Sequence, residues 1–498
     1  MGRLITPNYA QEFLLPASVE DWVLEGHPAR YVREYVGKLK VRIRDLADVP
    51  ESMQGRPQYA KSLLMSLWVY GYLTGIRSTR KLEQACREVM PMIWLAGLTQ
   101  PDHNTLWRFW KQNRKLIGQA FRELVKVAID EQMVGFVLQA IDGTKIHAAS
   151  STAKAVNHQD MERLIAHLNT RIEELEKEIA AAGAGGAEVR KAKAKVLAAS
   201  ALKAKFEQNI DSWADRKQHL DEPEAVMMKG HGLAYNAQIM VDEASGIIVT
   251  ENVVTDANDQ KQLNPMLDAT HEQLGRVADE TVADGGYNNA EAIGTADASG
   301  YSILLNRSAH EANAINQPYH AVNFRFDPTT DTVICPQNKH LSFEREVKRK
   351  RQTYPVRIFR GRECASCPVL TLCTKDRRGR SIEITPYEVQ TQAHRTKFKD
   401  PEKRVLLRKR MTLAERPFAT IKHHLGIRRF RTRGLDQVRT EWSFICLVHN
   451  LKTLIERHVS ARTTSVAILR DRLIERGRVL LLFPATTAEI QIQPTAAP

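Results

Sequence analysis

Val134-Gly135-Phe136-Val137-Leu138-Gln139-Ala140-Ile141 is an almost unbroken apolar run, and Asp142-Gly143-Thr144-Lys145 follows it directly. A run of this kind suits a strand covered on both faces, as in the middle of an α/β sheet. Such strands present ligand-binding side chains where they end, so Asp142 becomes a candidate functional carboxylate. A second, shorter run, Thr281-Val282-Ala283, ends in the same way at Asp284-Gly285-Gly286-Tyr287. Two acids at two strand ends are the feature from which the rest of the chain is read.

Between and after these strands the pattern is mixed α/β. Residues 233–241 and 247–254 read as a hairpin around Asp242-Glu243-Ala244-Ser245-Gly246. Helices are expected over about 260–274 and 288–296, with a strand over 301–305. Upstream, residues 1–130 read as helical. Leu63, Leu64, Leu67, Trp68 and Tyr72 recur at helical spacing, and Ser78 is a candidate N-cap. Asp102 or Asn104 would cap a further helix carrying Leu106, Phe109 and Leu116. On that helix Arg108, Lys111 and Lys115 would share a face, as a DNA-contacting helix requires. Leu164, Leu168, Ile172, Leu175 and Ile179 step by three or four, and Val196, Leu202, Phe206, Ile210 and Trp213 repeat the pattern beyond a glycine-rich turn at 182–187. This reads as a helical hairpin inserted into the α/β domain.

The division expected from these patterns is a helical N-terminal DNA-binding domain at 1–130 and a catalytic core at 131–157 and 221–320. The hairpin insertion occupies 158–220, a Cys/Arg-rich insert 321–390, and helices completing the core 391–477. The tail, 478–498, is rich in Pro, Thr, Ala and Gln and is expected to be disordered.

Charge narrows the function. The chain of 498 residues has a formal net charge of +14. Residues 346–380 carry net +8 and residues 401–433 net +9, which leaves the remainder at −3. A localised basic excess fits a polyanionic partner. No apolar run reaches the ~18 residues needed to span a bilayer, and Met1–Pro7 does not open a signal peptide. Six cysteines in so long a chain do not make a disulfide scaffold, so a reducing compartment is expected and nucleic acid is favoured over membrane. Inside the second basic stretch Glu415 stands almost alone, with Arg408, Arg410, Arg416 and Lys422 around it. Pro417 after it would suit a first helical turn. Phosphodiester cleavage uses two divalent ions ~3.5–4 Å apart, which two or three carboxylates can hold while cations hold the phosphates. Taken singly, each acid also has a plain reading, as a turn residue or an ion-pair partner.

In the order of its motifs the chain resembles the DDE transposases of bacterial insertion sequences. The resemblance runs over about residues 10–455. In the N-terminal part it rests on Phe13-Leu14-Leu15-Pro16, His27-Pro28-Ala29-Arg30, Tyr70-Gly71-Tyr72, the stretch from Gly75 to Glu83, Trp94-Leu95 and the stretch from Pro101 to Thr105. Later it rests on Asp142-Gly143-Thr144-Lys145, Tyr235-Asn236-Ala237-Gln238, Asn258-Asp259, Asp284-Gly285-Gly286-Tyr287, Ala414-Glu415-Arg416-Pro417-Phe418, Ile421-Lys422, Arg428-Arg429-Phe430, Arg433-Gly434 and Asn450-Leu451-Lys452.

The resemblance implies an α/β fold with a ribonuclease-H-like mixed-sheet catalytic domain. It implies Asp142, Asp284 and Glu415 as catalytic, Mg²⁺- or Mn²⁺-holding acids, with two ions. It implies a DNA contact from Lys422; Lys145, Arg416, Arg428, Arg429, Arg431 and Arg433 are further candidate DNA contacts by their charge. The partners would be terminal inverted repeats and target DNA, and the assembly a homodimer or larger synapse in the bacterial cytoplasm, at the nucleoid when bound to DNA. Water would free a 3′-hydroxyl at the element end, and that hydroxyl would attack target DNA. A Tyr and an Arg that related groups carry upstream of the Glu are here Arg408 and Met411, a departure from the pattern. The rival classes are an inactive DNA-binding protein of the same fold and a nucleic-acid-bridging structural protein.

Four cysteines remain, Cys335, Cys364, Cys367 and Cys373. Cys364 and Cys367 have knuckle spacing, so a structural Zn²⁺ site is one reading and unmetallated thiols the other. A small loop-rich insert without a core of its own would favour the metal. Cys86 and Cys446 sit in apolar helical patterns and read as core.

Overall fold

The computed structural model describes residues 18–47, 58–181, 186–210, 217–219, 221–314, 316–349 and 353–475. The Phe13–Pro16 motif, most of the glycine turn and the 478–498 tail lie outside the described residues. The chain forms two compact units, Met1–Thr453 and Leu454–Pro498.

The N-terminal part is helical, as its periodicity requires. Its principal helices are Pro28–Arg42, Lys61–Leu73, Thr79–Glu88, His103–Gln112 and Arg114–Asp130. Asp102 caps the fourth, its Oδ1 accepting the Thr105 amide at 2.7 Å. That helix is shorter than expected. The chain leaves helical geometry at Asn113 (φ −108°, ψ 31°), whose side-chain amide donates to the Phe109 carbonyl at 2.8 Å. Arg108 and Lys111 therefore share one helix, while Lys115 and Leu116 belong to the next. The core of this part is aromatic. Tyr72 stacks on Trp110 with centroids 6.0 Å apart, and Phe444 meets both edge-on at 5.0 and 5.1 Å. Phe444 lies on the helix that begins at Leu435, so the two ends of this unit share one core.

The central sheet is mixed. The strand Leu138–His147 runs antiparallel to Gly232–Asp242 and parallel to Glu280–Ala283, which is itself parallel to Ile303–Leu305. Gly232–Asp242 pairs on its other edge with Ile248–Val254 and with the short strand Val226–Met228. Three antiparallel strands continued by two parallel ones form the ribonuclease-H-like arrangement expected. The first strand is displaced from its expected position. It begins at Leu138, because Phe136 adopts φ 56° and the Asp242 carboxylate accepts the amides of Gly135 and Phe136, each at 2.9 Å. It also runs on through Asp142 to His147, so Asp142 lies mid-strand and not at an end.

The insertion is the helical pair expected, His158–Ala181 and Ala187–Ile210, closed at its base by two residue pairs between 155–156 and 218–219. The Cys/Arg-rich part is more ordered than expected. It forms a five-stranded antiparallel sheet, Arg325–Asp327 through Ser381–Ile384, over a small core of Phe324, Val333, Leu341, Phe359, Ile382 and Ile384.

The helix Pro401–Ala419 crosses the central sheet, its Leu413 packing against Leu138, Ala140, Val282 and Leu304. Pro417 lies near its end and not in a first turn. A proline there has no amide for the ladder, and the chain continues as one wider π turn, Thr420–His424. No helix among the described residues is long and apolar enough to cross a membrane.

Candidate active site

The parallel pair of strands leads the two aspartates toward the same edge of the sheet. The pairing ends at Ala140 and Val282, and Asp142 and Asp284 each follow two residues later, near enough that the charge of one raises the carboxyl of the other. Asp142 is held by the Gly143 amide, which donates to its Oδ1 at 2.8 Å, and by Arg410, whose Nη1 lies 3.5 Å from its Oδ2. These do not balance its surroundings. Burial pushes the Asp142 carboxyl up to about 6, the charges of Asp284 and Asp259 add to the rise, and Gly143 and Arg410 only oppose it. Asp284 follows its strand and accepts the Gly286 amide on Oδ1 at 2.7 Å.

Asp259 is a third carboxylate of this cluster. Its Oδ1 accepts from Asn236 Nδ2 and Gln238 Nε2, each at 2.7 Å, and from Lys145 Nζ at 3.1 Å. Gln238 is fully buried, and its Oε1 accepts the Tyr287 hydroxyl at 2.5 Å. Gly143 makes room for this network. A Cβ there would lie 2.1 Å from Gln238 Nε2 and 2.7 Å from Asp259 Oδ1. Asn258-Asp259 was legible only as part of a motif, without a role. A signal existed in Asn236 and Gln238, two amides on one face of an otherwise apolar strand, which need buried partners.

Glu415 lies two residues beyond Leu413 on the covering helix and is exposed. Lys422, in the π turn, reaches the sheet and donates to Thr144 Oγ1. Burial holds its ammonium below the usual lysine range, Arg428 lowers it further, and the Asp142 charge opposes both. The structure thus groups Asp142, Asp284 and Asp259 with Lys422 and Arg410. Among the described residues, however, no three His, Cys, Asp or Glu side chains are grouped tightly enough to hold a metal ion as they stand. The donor types nonetheless suit a hard divalent cation, since Asp142 is buried beside the charges of Asp284 and Asp259 and Arg410 only opposes the resulting rise.

The remaining cations divide by what they touch. Lys145 pairs with Asp259. Arg429 donates to the Ala148 carbonyl at 2.7 Å. Arg108, Lys111, Lys115, Arg416, Arg428, Arg431 and Arg433 are exposed. Cys335, Cys364, Cys367 and Cys373 all line one small cavity beside the five-stranded sheet. The Lys339 amide donates to Cys335 Sγ at 3.3 Å, and the Cys367 amide closes a turn on the Cys364 carbonyl at 3.0 Å. All four are free thiols, and Cys86 and Cys446 are buried as expected.

Residues 334–455 match the family described as Transposase DDE domain, and residues 17–112 match the Transposase domain (DUF772). The first match takes in the four cysteines, Glu415 and Lys422, but neither Asp142 nor Asp284. No curated protein and no solved structure matches the chain.

Proposed function

We propose that the chain is a DNA transposase of the DDE type, the reading that its two family matches support, and that Asp142, Asp284 and Glu415 form its phosphodiester-cleaving centre. The observation that supports this reading is the nearness of Asp142 and Asp284, each two residues past the paired Ala140 and Val282 that the Glu415-bearing helix covers. DDE transposases generally use divalent metals such as Mg²⁺. Here Asp142 and Asp284 would hold Mg²⁺ or Mn²⁺, with Glu415 completing the set. When bound, two such ions activate the attacking oxygen and stabilise the leaving one.

The chain's own residues position the substrate. Lys422, fixed on Thr144, places a positive charge beside Asp142, where a phosphate would approach. Arg410 keeps a second cation against Asp142. Asp259, Asn236 and Gln238 immobilise Lys145 and with it the strand that carries Asp142. Exposed Arg416 and Arg428 flank this centre in sequence and would hold the DNA backbone. The reaction is hydrolysis at the element end, followed by attack of the freed 3′-hydroxyl on target DNA. Two ends must be handled together, so the working form is a homodimer or larger.

The test uses DNA carrying the sequences that flank the coding region in its genome. Wild-type protein is expected to nick it with Mg²⁺ or Mn²⁺ and to be silent with EDTA. Glu415→Gln is expected to lose ~10²–10³-fold in rate with an unchanged melting temperature, because Glu415 is exposed. A wild-type protein that binds the ends and never nicks them would contradict the enzyme reading.

The four cysteines that line one cavity are of the type a Cys₄ structural Zn²⁺ site uses, and Zn²⁺ binding would draw them together, since no three of them are grouped tightly enough as they stand. Metal analysis of purified protein is expected to give about one zinc per chain, falling away in Cys364→Ser. Zinc-free protein with an unchanged melting temperature would remove that assignment.

A further inference from the structure

Arg77, Arg429, Arg431 and Arg433 line one open cavity of about 550 Å³ together with Trp107 and Phe430. Arg77 and Trp107 come from the helical N-terminal part, Ala149 from just past the strand that carries Asp142, and the rest from residues 429–437 after the π turn. That segment is held in place. The Phe430 amide donates to the His147 carbonyl at 2.9 Å, so the segment runs beside the end of the strand that carries Asp142. Buried Glu441 accepts the amides of Arg431 and Thr432, each at 2.9 Å, and the Thr432 hydroxyl at 2.8 Å. Phe430 and Thr432 are buried, while Arg431 and Arg433, alternating with them, are exposed. Neither of these two guanidinium groups has an ion-pair partner among the described residues.

Trp107 is the feature that a duplex backbone leaves unexplained. Its neighbours Leu106, Phe109 and Trp110 are buried, but Trp107 itself is 44% exposed at the rim of a cavity lined by cations. Guanidinium groups alone suffice to hold the phosphates of paired DNA. Bases inside a duplex are stacked on both sides and offer an indole no free face. An exposed aromatic ring among phosphate-binding cations is the combination that holds a single-stranded nucleotide. The cavity also falls within the ~300–1,000 Å³ range of pockets that enclose small organic ligands.

We propose that this cavity takes an unpaired nucleotide of the DNA, its base stacked on Trp107 and its flanking phosphates on Arg431 and Arg433. The chain then engages an opened DNA end in preference to a fully paired one. This rests on the reading of the chain as a DNA transposase and adds to it the state of the DNA that is bound.

The experiment uses the full chain in EDTA and two labelled probes, a blunt duplex and the same duplex with a short unpaired extension. Wild type is expected to bind the extended probe ~10-fold more tightly. Trp107→Ala is expected to abolish that preference with blunt-duplex affinity little changed, and Trp107→Phe to keep part of it. Arg431→Gln and Arg433→Gln are expected to weaken both probes, each lowering the slope of log affinity against log salt by about 1. Equal binding of both probes by wild type, or a preference that survives Trp107→Ala, overturns the inference and leaves DNA binding standing. Binding of neither probe overturns both.

Discussion

Asp142→Asn is expected to stabilise the metal-free protein while abolishing its DNA cleavage. The Asp142 carboxyl ordinarily ionises near 3.8 and is pushed up to about 6 in the fold, chiefly by burial. The folded state therefore binds this proton more tightly than the unfolded state does. Below the unfolded value both states are protonated and there is no penalty. As pH rises from about 4 to about 6 the fold loses stability, and the loss is complete above that. A shift of about two units corresponds to on the order of 3 kcal/mol. The asparagine removes the charge and keeps an oxygen for the Gly143 amide. In EDTA its melting temperature should exceed that of wild type by a few degrees at pH 8, and the difference should vanish below about pH 4. Adding Mg²⁺ should reverse the order, because only the wild-type carboxylate gains a cation. A melting curve for Asp142→Asn that tracks wild type at every pH, with and without metal, would show that this carboxylate is not under strain.

The second large effect is expected at Gly143. Its missing Cβ leaves room for Gln238 Nε2 and Asp259 Oδ1, which would otherwise stand 2.1 and 2.7 Å from it. Gln238 cannot swing aside cheaply. Its amide group bonds Asn236, Asp259 and Tyr287 at once, in a place where an orphaned polar group costs about 1–3 kcal/mol. Gly143→Ala is therefore expected to destabilise by ~2–4 kcal/mol in a denaturant titration. It should also cost ~10²-fold or more in cleavage rate, because Asp142 is the next residue in the strand. Gly118→Ala is the control. It sits inside the helix Arg114–Asp130, the nearest atom to its Cβ being 3.7 Å away, and is expected to stabilise by ~0.5–1 kcal/mol. Equal stability in both variants would mean that the amide network adapts freely.

These two residues also mark how far the sequence could be read. The apolar run located the central strand, because burial on both faces demands such a run. It could not locate the strand's ends. At the near end, a carboxylate more than a hundred residues away, Asp242, takes the amides of Gly135 and Phe136 and pulls them off the sheet. At the far end, Lys145 looks like a surface residue, but Asp259 neutralises it within the sheet. The nearness of Asp142 and Asp284 follows from which strands pair, which alternation along one strand does not encode. Asp259 escaped for a related reason, since its partners Asn236 and Gln238 are more than twenty residues away in sequence. The stripe of Arg108, Lys111 and Lys115 failed on one local event, the break at Asn113. Trp107 beside it could be seen only once the N-terminal helices and residues 429–437 met around one cavity.

The central claim is that Asp142, Asp284 and Glu415 share one divalent-metal site, and metal-directed cleavage of the polypeptide tests it without any knowledge of the DNA. Fe²⁺ loaded in place of Mg²⁺ and treated with ascorbate and peroxide releases hydroxyl radicals that cut the backbone beside the ion. The prediction is three sets of cuts, near residues 142, 284 and 415, all suppressed by excess Mg²⁺ and lost in Asp142→Asn. Cuts clustered elsewhere in the chain, or unchanged in the variant, would contradict it.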